Sequence, residues 1–160
     1  MSLSATTHNT FVIERSYPAA PDRVFAAFAD QSLKRRWFVE SDHHQVEHYT
    51  LHFQVGGKEC TRVRFNPGTP VEGLACTNDT TFLDIVPNRR VVFASSMFLE
   101  EKCISAALAT VELTPSESGT KMVFTHQAAF FEGADGPEMR AEGWRKLLEN
   151  LTSALPVPCA

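Results

Sequence analysis

Among the side chains able to do chemistry, His126 is the best placed. It closes the alternation Met122, Phe124, His126 within the run Thr120-Lys121-Met122-Val123-Phe124-Thr125-His126. Residues two apart on a strand share a face, so the burial that Met122 and Phe124 demand carries the imidazole inward with them. An inward imidazole titrates near neutrality and can serve as an acid/base or as a hydrogen-bonding partner for a carbonyl. Ser95 offers a hydroxyl that could position the same carbonyl. A lone inward histidine more often orients a ligand or braces the fold than catalyses, so His126 is a candidate catalytic residue and an expected ligand-binding one.

His43, His44, His48 and His52 look like a second constellation. On a strand rising ~3.3 Å per residue, His48 and His52 stand about 13 Å apart, too far to share one ion. A zinc site needs three or four convergent ligands, and no H-E-x-x-H pattern accompanies these histidines. No metal site and no cofactor are expected. Cys60, Cys76, Cys103 and Cys159 form no C-x-x-C pair, and scattered thiols fit a reducing, cytoplasmic setting. There is no G-x-S-x-G, phosphate loop or dinucleotide fingerprint.

The elements that must position these residues follow from periodicity. Phe11 to Tyr17 alternates as a strand and stops at Pro18. Pro21 and Asp22 start a helix through Ala29, with Val24, Phe25 and Phe28 on its buried stripe, and Asp30 caps a second short helix to about Trp37-Phe38. Val46 to Val55 has period two and runs into Gly56-Gly57, which predicts a two-residue hairpin returning as Lys58 to Phe65. Further strands are expected over Leu74 to Val86, Arg90 to Phe98, Cys103 to Leu113 (ended by Pro115) and Thr120 to Ala128. A last helix opens at Pro137-Glu138, carries Trp144, Leu147, Leu148, Leu151 and Leu155 at three-four spacing, and stops at Pro156. The order predicts an α+β fold in which a curved antiparallel sheet wraps a long C-terminal helix.

The 160 residues suit one domain, 1–160, with a substantial core. Twelve Phe against two Tyr and two Trp put the aromatic content into a side chain without a polar handle, as a core or apolar cavity requires. A net charge of -4 gives nucleic acid no basic surface to bind. Lys34-Arg35-Arg36, the sole basic triplet, reads as a solvated helix face. Met1 to Thr10 is polar, and no run approaches the ~18 apolar residues of a membrane span. Ile104, Ala106 and Leu108, opposite the small inward residues Cys103, Ser105, Ala107 and Ala109, are expected to face outward as a possible homodimer surface.

Several motifs, in this order, resemble the activator of heat-shock-protein-90 ATPase homologue family of the START-like (SRPBCC, helix-grip) superfamily. They are Ala20-Pro21-Asp22-Arg23-Val24-Phe25, Trp37, Phe53-Gln54-Val55-Gly56-Gly57, Phe82-Leu83-Asp84-Ile85-Val86-Pro87 with Arg90, Thr120 to His126, and Gly143-Trp144 with Leu147 and Leu151. The resemblance implies seven antiparallel strands gripping the last helix around a cavity. It implies no common reaction. The chain departs from the family pattern at His52 and Gln54, where an acidic and a basic residue usually flank Phe53. It departs again at Ala94-Ser95, where a Thr-Trp pair is usual and where the smaller residues should enlarge the cavity or admit a polar ligand group.

The function expected first is binding of a small apolar or amphipathic molecule between sheet and helix. Trp37, Phe53, Phe65, Phe93, Ser95, Met97, His126, Phe130, Met139 and Gly143 are the expected binding residues. The alternatives are a cyclase, dehydratase or hydrolase using His126 as acid/base, and a co-chaperone-like interaction module suggested by the family name alone.

Overall fold

The computed structural model describes residues 5–155. Pro156, the expected stop of the last helix, and Cys159 lie outside the described residues. β1 (Thr7–Tyr17) is followed by α1 (Pro21–Ala29), α2 (Gln31–Lys34) and a π-helical turn over Arg35–Val39. Then come β2 (His44–Leu51), β3 (Lys58–Phe65), β4 (Ala75–Val86), β5 (Arg90–Leu99), β6 (Lys102–Ser116), β7 (Gly119–Phe130) and α3 (Pro137–Ala154). The seven strands form one antiparallel sheet in the order β1-β7-β6-β5-β4-β3-β2, so the chain's first and second strands are its two edges. The expected α+β helix-grip architecture is the observed one.

Local chemistry sets the helical insertion. Asp30 accepts hydrogen bonds from Leu33 N at 3.0 Å and from the Ser32 hydroxyl at 2.7 Å, capping α2. These bonds, the Ser32 hydroxyl first, hold its carboxyl below the usual range. The helix then widens by one residue, as Glu40 N donates to Arg35 O at 2.9 Å. Trp37 and Val39 end up buried on the inner side of that turn, as does Lys34 at its threshold.

Three expectations needed correction. The strand expected over 46–55 ends at Leu51, and Gly56-Gly57 is not a two-residue hairpin. His52 N donates to Lys58 O at 2.8 Å, and Gly56 N and Phe82 N exchange hydrogen bonds with Phe82 O and Gly57 O, so the 52–57 loop folds onto β4. A Cβ on Gly57 would collide with the His52 carbonyl, so close backbone approach is what this glycine supplies. β6 also runs through Pro115 to Ser116. Its pairing with β5 reaches only Glu112, so the proline sits where β6 need not donate to β5. Finally, the register of β6 slips between its pairings of Cys103 with Phe98 and of Ser105 with Met97. The extra residue, Ile104, is buried rather than outward, whereas Ala106 and Leu108 do face solvent.

Candidate functional site

Antiparallel register aligns the inward side chains of successive strands into rungs across the concave face. One rung runs Phe82 (β4), Phe93 (β5), Ala109 (β6), His126 (β7) and Phe11 (β1). The next runs Glu59 (β3), Thr80 (β4), Ser95 (β5), Ala107 (β6) and Ala128 (β7). A third runs Thr61, Asn78, Met97, Ser105 and Phe130 on the same five strands. The middle rung carries only short side chains over four neighbouring strands, a strip about 14 Å across at ~4.8 Å per strand spacing.

The first rung is aromatic and roofed by α3. Trp144 lies 4.6 Å from Phe124, 5.7 Å from Phe38, 6.3 Å from His126 and 6.4 Å from Phe93, centroid to centroid. These rings fill the space that sequence alone expected to be hollow at this level. His126 stacks on Phe11 at 4.6 Å and 16° and is 3% exposed. Its Nδ1 has no hydrogen-bond partner, the only such buried side-chain nitrogen or oxygen among the described residues. Burial first, and the nearby Arg140 charge second, pull its pKa down to about 4, with Asp135 opposing. The ring is therefore uncharged at neutral pH.

Charged pairs flank this strip of short side chains on both sides. Arg140, one helical turn before Trp144, grips Asp135 through Nη2–Oδ1 at 2.7 Å and Nε–Oδ2 at 2.9 Å. The same Nη2 donates to Ser105 Oγ at 3.0 Å, and the guanidinium lies 5.1 Å over the Phe130 ring. On the other side Lys34 Nζ donates to Glu59 Oε1 at 2.7 Å, and the Tyr49 hydroxyl donates to Oε2 at 2.8 Å. Burial, then the Glu59 charge, pushes the Tyr49 phenol up, so it stays a donor. Lys34 is 2% exposed, and its ammonium sits 4.7 Å over Phe38, with Phe82 and Phe93 at 5.6 and 5.7 Å. Among the described residues, Thr80 and Ser95 take no part in the hydrogen bonds that tie these pairs together. Cys76 adds no reactive thiol, because burial pushes its pKa up to about 11.

The expected binding residues divide into groups. Phe93, Ser95, Met97, His126 and Phe130 stand on these three rungs. Trp37 is buried behind them, its indole N–H donating to Ala27 O at 2.8 Å. Phe53 packs on Phe25 and Phe82 under the 52–57 loop. Phe65 packs on His44 at the far end of β3, beside a separate depression edged by Gln45, Asn66 and Glu72. Met139 is 69% exposed, and Gly143 is exposed with open space around it; both point away from the sheet because they lie off the stripe of Arg140, Trp144 and Leu148.

Lys34, Glu59, Tyr49, Arg140 and Asp135 were not anticipated, and Lys34 contradicts the solvated-face reading. The signals were present. Glu59 alternates with Thr61 and Val63, which puts a carboxylate on an apolar face that must be matched by a cation. Arg140 is four residues before Trp144, on the same helical stripe. Elsewhere, residues 8–10, 106–108 and 127–129 edge a shallow groove on the outer face of the sheet, so Ala107 and Ala128 border it too. No three histidine, cysteine or acidic side chains converge to hold a metal among the described residues. No described helix is long and apolar enough to cross a membrane.

Comparison with known proteins places this architecture. A protein of Rhizobium leguminosarum shares 37% identity and a TM-score of 0.87, over 96% of this chain and 97% of that one. A Rhizobium loti protein shares 46% identity and a TM-score of 0.83, over 94% and 99% of the two chains. An AHSA1-like protein of Aeromonas hydrophila, 18% identical with a TM-score of 0.65 over 91% of each chain, shares the fold. The search of curated proteins finds no match. Residues 18–156 match the family model described as activator of Hsp90 ATPase homolog 1-like protein, and the chain belongs to that family.

Proposed function

We propose that the protein binds a small, largely apolar or amphipathic molecule in a trough over this strip, between the sheet and α3, using its own side chains. The observation that carries this reading is the rung of Thr80, Ser95, Ala107 and Ala128, wedged between an aromatic rung and a polar one. Four adjacent strands withhold large side chains where a packed core would place them. The half-buried Ser95, Asn78 and Met97 give the trough contact with solvent. Unpaired Cys60, Cys76 and Cys103 fit work in the cytoplasm.

Acid/base catalysis by His126 is the weaker reading. A working imidazole is normally oriented by a partner on one nitrogen, and Nδ1 has none. The interaction-module reading draws on the family description alone.

The test is calorimetric titration with naphthalene, a rigid apolar probe, against the wild-type protein and an Ala107→Leu variant. Binding that falls at least tenfold on filling the trough supports the reading. Equal binding to both proteins, or none to either, defeats it.

A further inference from the structure

Resting on that reading, we infer that the ligand is an uncharged molecule carrying a hydroxyl or carbonyl oxygen, and that this oxygen is received by His126 Nδ1 at the wall of the trough. Two independent observations support this.

The first is an orphaned polar atom. Nδ1 is buried without a partner in a side chain 3% exposed, and a buried polar group left unpaired is costly. The fold does not remove that cost, although a phenyl group would stack on Phe11 as well as the imidazole does. His126 shares the concave face with Ala128, two residues along β7, so a molecule lying over Ala107 and Ala128 brings its edge to the imidazole. Ala109, opposite His126 on β6, sets only a methyl group beside the ring.

The second is the charge balance of the interior. An anionic ligand needs a cation with charge to spare. Arg140 is held bidentately by Asp135 and Lys34 is paired with Glu59, so the two cations that flank the trough are neutralised within the protein. His126 adds no charge at neutral pH, because burial and Arg140 disfavour its protonation. A carboxylate or phosphate in the trough would surrender its hydration for no free positive partner and would lie near Asp135 and Glu59. A neutral hydroxyl or carbonyl loses far less hydration and regains a hydrogen bond from the one buried group that has none. Thr80 and Ser95, uninvolved in the ion pairs, are available for a second polar edge.

The experiment compares three probes of one shape at pH 7: naphthalene, 2-naphthol, and 2-naphthoate. 2-Naphthol should bind about tenfold tighter than naphthalene, as expected for one hydrogen bond to an otherwise unpaired buried group, and 2-naphthoate more weakly than 2-naphthol. In a His126→Phe variant the preference for 2-naphthol over naphthalene should shrink below threefold. Because that variant could misfold, the wild-type protein supplies a second readout: on adding 2-naphthol, the imidazole nitrogen resonances of His126 should shift while those of the other five histidines stay within error. Naphthalene binding as tightly as 2-naphthol, 2-naphthoate binding tightest, or an unmoved His126 resonance under saturating 2-naphthol would each overturn the inference while leaving the binding trough intact. Failure of all three probes to bind would sink the trough itself.

Discussion

Two neighbouring rungs of the concave face, a single pleat repeat apart, are built on opposite terms. Phe82, Phe93, His126 and Phe11, roofed by Trp144, form continuous ring contacts that lock sheet to helix. Thr80, Ser95, Ala107 and Ala128 carry only short side chains and enter none of these ring contacts. The first rung is where stability resides. The second leaves short side chains where large aromatics would be the obvious way to close a sheet over a helix, and the proposed binding rests on that difference.

The largest expected effect breaks the aromatic side of this contrast. Phe124 is 0% exposed beneath Trp144, and Phe124→Ala should cost about 3–5 kcal/mol in urea unfolding, with the cavity term included. By contrast, Ala128→Ser on the small rung should cost less than about 1 kcal/mol. Comparable losses at the two positions would erase the distinction.

The ion pair beside the trough sharpens it. Lys34 and Glu59 are each 3% exposed in their side chains at 2.7 Å, so Glu59→Leu strands a buried ammonium and should cost about 3–5 kcal/mol. The double replacement Lys34→Met with Glu59→Leu should recover most of that loss. If the double variant is as unstable as the single one, the pair does more than balance charge.

His126 links the two regions through pH. Its pKa falls from an ordinary 6.5 to about 4 in the folded protein, so between those values the unfolded chain binds more protons than the native one. Its contribution is thus fully present above pH 6.5 and is lost as pH falls toward 4, by about 3 kcal/mol across the window. Measured from pH 7 to 4, the stability of His126→Gln should fall less steeply than that of the wild type. Parallel curves would mean that His126 does not carry the effect. At the small end of the scale, Met139→Ala, 69% exposed on α3, should shift stability by less than about 0.5 kcal/mol.

Much of this was legible in the chain because periodicity reports burial. The alternation Met122, Phe124, His126 placed the imidazole inward, and the Trp144 to Leu151 stripe placed α3 against the sheet. Register was not legible. That Ser95 meets Ala107 and Ala107 meets Ala128 depends on where each strand slips, at 46–48, 82–84 and 97–98, and no local pattern announces those bulges. Lys34 was misread because its helix widens into a π turn, and the Gly56-Gly57 loop because its glycines serve a contact with β4 rather than a tight turn.

One measurement tests the central claim directly: intermolecular NOEs between bound 2-naphthol and the alanine methyls of β6 and β7. A molecule in the trough must touch Ala107 and Ala128, which face α3, together with the Trp144 ring. NOEs to Ala106 and Leu108 on the outer groove, with none to the Trp144 ring, would contradict the account, because Ala107 and Ala128 border that groove as well.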